Sequence, residues 1–247
     1  MSIAEKLATI AENEQRVYDA GYIKGKAEGG GGDNYCDTFW DIYQQNGNRT
    51  IYQNAFSGLG WTDETFKPKY DMKPTSAVQM FHNTQITNLK KILDDAGLVL
   101  DFSKCTAFTY TFQQSKITHI GAIDVSNVTN LSYFMPEAKF VYIEKMILKN
   151  DGTQSFNSTY TFSLCRSLEH CIFEGVIGKN GFDIHWSTLL DADSLGSVIN
   201  CLSTATTGLT VTLPTTAQAN YDAVYGDGAW ETLVATKQNW TVAYTPA

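Results

Sequence analysis

Charge is scarce in this chain. Only 18% of its 247 residues are Asp, Glu, Lys or Arg, below the roughly 25% usual for soluble domains. Eighteen basic against 26 acidic residues leave a net charge of −8. The sequence contains no Lys/Arg cluster, so a nucleic-acid partner is not expected, because phosphate neutralisation supplies most of that affinity. No apolar run approaches the ~20 residues needed to cross a bilayer, and membrane insertion is not expected. The opening MSIAEKLATIAENEQ has acidic residues where an export signal would carry a basic segment and a long apolar core, so no signal peptide is expected.

Chemistry-bearing patterns are also missing. Cys36, Cys105, Cys165, Cys171 and Cys201 are odd in number and form no CxxC, which leaves buried, reduced thiols as the reading. The only histidines are His82, His119, His170 and His185, with no i, i+4 pair and no HExxH. There is no GxSxG elbow, Walker A loop or GxGxxG. Neighbouring carboxylates such as Asp94-Asp95 or Asp191/Asp193 do not establish the opposed geometry of a glycosidase. The expectation is a non-enzymatic protein with no catalytic residues, metal or cofactor.

What the chain does have is apolar and aromatic residues, 43% and 13%, with 19 glycines. Residues 3–24 read as a helix with Ile3, Leu7, Ile10 and Val17 on one stripe, and Ser2 with Glu5 can form a capping box. A helix this short needs a partner to be stable. Gly29-Gly30-Gly31-Gly32 then separates it from the rest. Residues 1–32 are therefore expected to be an attachment or oligomerisation segment, joining another copy or another protein, with a trimer as one solution. A second helix is expected from Asp33, with Cys36, Phe39, Trp40 and Tyr43 on one face and Gly47 as its stop.

Self-similarity dominates the middle of the chain. FHNTQITNL (81–89), FQQSKITHI (112–120), FMPEAKFVYI (134–143) and FSLCRSLEHC (162–171) each open on Phe. An apolar anchor comes next (Ile86, Ile117, Phe140, Leu168), and three residues later another (Leu89, Ile120, Ile143, Cys171). Strand-like runs GAIDV (121–125), KMILK (145–149) and CIFEGVI (171–177) come after the last three, and Asn54-Ala55-Phe56 starts a degenerate earlier copy. Phe-to-Phe intervals of 25, 31, 22 and 28 suit a repeat architecture. Matching places two residues past an anchor put His119 and His170 on one face.

This pattern resembles the leucine-rich repeats of BspA-like bacterial surface proteins. Nearly the full length also resembles a family of phage and prophage proteins of gut Firmicutes. The carrying phrases are MSIAEKLATIAENEQRVYDAG (1–21), residues 46–77, LVLDFSKCTAF (98–108), MILKNDGTQSF (146–156), FEGVIG (173–178), and GLTVTLPTTA through NWTVAY (208–244). Met135-Pro136 departs from the family's usual polar turn and Cys. The resemblance implies a virion location and no known catalytic residues.

The C-terminal part breaks the period. Asp193-Ser194 is read as the cap of a helix bearing Leu195, Val198, Ile199 and Leu202; Leu209–Leu213 reads as a strand ended by Pro214. Helices around 215–225 and 229–237 and a strand over 240–244 complete the chain. The expected fold is thus a β-rich mixed α/β leucine-rich-repeat (BspA-like) solenoid. It comprises a helical N-cap (33–55), repeats (56–186) and an α/β C-terminal cap (187–247). Tyr110, Tyr133, Tyr142, Tyr160 and Trp186, with Trp61, are the candidates for an outward ligand face. The expected function is a virion appendage that recognises a host-surface protein or glycan. A polysaccharide-active tail-spike enzyme and a purely structural decoration protein are the alternatives.

Overall fold

The computed structural model describes Trp40 and residues 48–157 and 160–247. The attachment helix with Ile3, Leu7, Ile10 and Val17 and the glycine linker lie outside the described residues, as does the helix expected from Asp33 apart from Trp40. Four α-helices are described: α1 (Leu89–Ala96), α2 (Ala192–Cys201), α3 (Ala217–Tyr225) and α4 (Ala229–Val234). The strands are β1 (His119–Asp124), β2 (Tyr142–Ile147), β3 (His170–Glu174), β4 (Leu209–Pro214) and β5 (Trp240–Thr245). β1, β2 and β3 form one parallel sheet in that order, and β4 and β5 form a separate parallel pair. No helix among the described residues is long and apolar enough to cross a membrane.

The expected leucine-rich-repeat solenoid is corrected by this architecture. Such a fold would run a strand of every repeat through one continuous sheet, whereas the described residues form four helices and two small parallel sheets. The general class, mixed α/β, is compatible with that. The physical reason lies in the linking segments. After Phe56 and Phe81 the chain enters turns and then α1, not an extended run, and its parallel pairing there is confined to single bridges such as Ile51↔Ser76 and Ser76↔Ala107. Left-handed residues flank the phenylalanines: Asn54 and Gly58 around Phe56, Gln79 and Asn83 around Phe81, Tyr110 and Gln114 around Phe112. That geometry curls the backbone and prevents strand extension.

The curled segments still lie side by side. Amides of Ala77, Gln79 and Phe81 donate to the carbonyls of Ala107, Thr109 and Thr111 across the gap. The rings line up in the same way: Phe56 to Phe81 is 5.0 Å between centroids, Phe81 to Phe112 is 5.6 Å and parallel within 2°, and Phe112 to Phe134 is 5.7 Å. All four rings, and Phe162, are buried. Each full burial of such a ring contributes roughly 1.5–3 kcal/mol, which makes this aromatic column the main cohesive element.

Within the sheet, register sets Tyr142 between His119 and His170, and Ile143 between Ile120 and Cys171. Burial does not alternate strictly: Ile120 and Ile123, like Ile143 and Met146, point inward three residues apart, and a register shift at Ile143/Lys145 realigns β3. The free edge of β3 meets α2 instead of another strand. Cys171 N donates to Ser194 Oγ at 2.8 Å and Phe173 N to Ser197 Oγ at 2.9 Å, so two helical hydroxyls satisfy the edge amides. The cap of α2 is Asp191, whose carboxylate accepts from Ser194 N at 2.8 Å, rather than Asp193-Ser194. At the other end Lys237 Nζ donates to the Asn200 and Leu202 carbonyls at 3.1 and 2.7 Å, a cation where the helix dipole is negative.

Candidate functional site

The five candidate face residues fall into three groups, carried mostly by turns and strand starts. Tyr110, Tyr133 and Tyr160 form the first. Each precedes a segment's buried Phe by one or two positions. The Tyr110 amide donates to Tyr133 O, which sets the two turns side by side. Ring centroids are 5.1 Å apart for Tyr110–Tyr133 and 4.8 Å for Tyr133–Tyr160, the latter stacked at 27°. Tyr110 and Tyr133 are half-buried and Tyr160 is 42% exposed. The three rings thus lie in a row, the first pair tilted at 46° and the second stacked, each packed against its neighbour and partly open to solvent.

Tyr142 belongs to a second group. It starts β2 between His119 and His170, with centroids 6.1 Å and 4.8 Å away and planes within 19° and 8°. His119 Nδ1 is 2.9 Å from Thr118 Oγ1. His170 Nδ1 is 2.6 Å from Asp191 Oδ2, so the α2 cap also anchors the end of this imidazole–phenol–imidazole stack. Burial pulls the Asp191 carboxyl up, but hydrogen bonds from Ser194 and His170 outweigh it and hold its pKa below the ordinary value. Tyr142 stands two residues past Phe140, the same offset that matches the two histidines, so the sequence carries the signal for this triad.

Trp186 forms the third group. Its ring lies 4.6 Å from that of His185, and the Arg166 guanidinium sits 4.8 Å from a Trp186 ring centroid. His185 Nδ1 is 2.6 Å from Asp183 Oδ1, and both side chains are nearly buried. Trp61 is not on any face. It is buried against Phe56 and Phe66, because the local aromatic density at the start of the column leaves it no outward position.

Burial pushes the thiols of Cys105 and Cys201 up to about 11 and that of Cys165 up to about 12, with Cys171 also raised well above its ordinary value. These thiols are poor nucleophiles at neutral pH. Among the described residues no three His, Cys, Asp or Glu side chains converge as a metal-binding group. A recess of about 240 Å³ between α1 and the sheet, with Lys90, Leu93, Ile120 and Glu144 in its wall, is small for an organic ligand. Comparison with protein-family models, curated proteins and solved structures finds no match to this chain.

Proposed function

We propose that this chain is a non-enzymatic recognition protein of a phage or prophage particle, presenting the Tyr110–Tyr133–Tyr160 row to a host-surface glycan or protein. The observation that carries the reading is the ring-to-ring contact along that row, with centroids at 5.1 and 4.8 Å. Rings ordered by one another lose little side-chain freedom on binding, and tyrosine is favoured at such contacts for this reason. The particle assignment rests on the sequence resemblance, and the attachment role of residues 1–24 on their apolar stripe.

The test is binding of the labelled full chain to host cells by flow cytometry, alongside detection of the chain on purified particles. Replacing Tyr110, Tyr133 and Tyr160 together by Ala should weaken cell binding at least about tenfold while the protein stays folded. Ile3→Asp with Leu7→Asp should release it from particles with cell binding intact. Depolymerisation of a host polysaccharide would replace this reading with the enzyme. Presence on particles without cell binding would replace it with a decoration protein.

A further inference from the structure

Basic residues form no run in the sequence, yet the fold gathers three of them. Thr84, Ser115, Ala138, Cys165 and Ser187 are buried small residues at corresponding places in successive segments. The residues after the middle three are Lys116, Lys139 and Arg166, all exposed. The Lys116 amide donates to Thr84 O and the Lys139 amide to Ser115 O, each at 3.1 Å. Lys139 therefore stands about one strand spacing, ~4.8 Å, along from Lys116 at the backbone. Cys165 Sγ donates to Met135 O at 3.2 Å, which brings the next segment and Arg166 alongside.

None of the three makes an ion pair with a described residue, although the chain as a whole carries −8. Glu137, the nearest carboxylate in sequence to Lys139, accepts from Gln114 Nε2 at 3.2 Å instead. Like charges on neighbouring segments repel, and an anion lying along the row would relieve that repulsion. Arg166 also lies over Trp186, whose ring is held by His185 and through it by Asp183. Trp186 stays partly exposed beneath this guanidinium, which leaves apolar surface for a sugar ring next to a cation for its acid group.

We propose that Lys116, Lys139, Arg166 and Trp186 bind an anionic polysaccharide, a chain bearing carboxylate or phosphate groups at intervals. This names the ligand class of the recognition reading above and rests on it. The experiment is affinity electrophoresis of the full chain in gels containing polygalacturonate, poly(glycerol phosphate) or neutral dextran. Retardation by one or both acidic polymers and not by dextran is expected, and which of the two retards tells carboxylate from phosphate. K116E/K139E/R166E should weaken retardation at least about tenfold, and W186A should weaken it in part. K91E/K104E/K179E, with the same change in net charge, should retain it. Equal loss in both triple variants, no retardation by either acidic polymer, or displacement by single-stranded poly(U) at lower charge concentration overturns the assignment. Host-cell binding that survives K116E/K139E/R166E also overturns it and leaves the recognition reading standing. Polymer retardation without any cell binding overturns the recognition reading alone.

Discussion

At Gly175 φ is +106°, and a Cβ built there would stand 2.5 Å from the Leu148 carbonyl oxygen. Conformation and space both demand glycine, so Gly175→Ala should cost roughly 1–3 kcal/mol in urea denaturation. Residue-scale chemistry also sets an alkaline limit. The Cys105, Cys165 and Cys201 thiols stay neutral to about 11, about 12 and about 11, against a reference value of 9.0. Raised folded values mean that their contribution to stability is intact below about 9 and is lost as pH climbs toward 12. The urea midpoint should therefore fall between pH 8.5 and pH 11 on account of these groups, with a smaller fall in Cys165→Ala. Iodoacetamide at pH 8 should leave Cys105, Cys165, Cys171 and Cys201 unmodified by mass spectrometry until the protein is unfolded.

Among the elements, α2 has the most demanding position, because it closes the β3 edge with side chains. Ser194 is fully buried, and its hydroxyl is the acceptor for the edge amide of Cys171. Ser194→Ala strands that amide in the interior and should destabilise the fold by about 1–3 kcal/mol. Hydrogen exchange at the Cys171 amide should accelerate more than at Ile143, one strand inward. Leu195, Val198 and Ile199 make the existence of α2 legible in the sequence, but the cap read there falls two residues late. Ser194 reads equally well as a cap and as an edge acceptor until the strand it faces is known. By contrast α1 carries several local signals and is still missing from the elements expected on sequence: Asn88 caps it, Lys90–Asp94 and Lys91–Asp95 pair at i, i+4, and Gly97 ends it in the left-handed region. The repeat phrase ending at Leu89 absorbs its first residue, so a long-range pattern masks a short-range one.

For the molecule as a whole, cohesion comes from the aromatic column. Phe112→Ala should cost about 3–5 kcal/mol in chemical denaturation. Phe81 and Phe112 stack within 2° at 5.6 Å, so the double alanine variant should cost less than the sum of the singles by about 0.5–1.5 kcal/mol. The openings at Phe81, Phe112, Phe134 and Phe162 are legible as core because phenylalanine at shared offsets has little else to do. The architecture within the mixed α/β class is not, because spacing alone cannot distinguish an extended segment from one curled by left-handed residues such as Gln79 and Asn83. The same gap hides Lys116, Lys139 and Arg166 as a group. They lie 23 and 27 residues apart in the chain, and only the lateral pairing of their segments makes them neighbours.

The way α2 meets β3 has a kinetic meaning as well as a structural one. A sheet grows like a polymer, each added strand exposing the hydrogen-bonding groups that recruit the next. Ser194 and Ser197 occupy that addition site without renewing it. Ser197 accepts the Phe173 amide proton and returns its own proton into the helix, to Ser194 O at 2.6 Å. The pair works as a chain terminator, and on this side β3 offers no template on which a stray strand, from this molecule or another, can propagate.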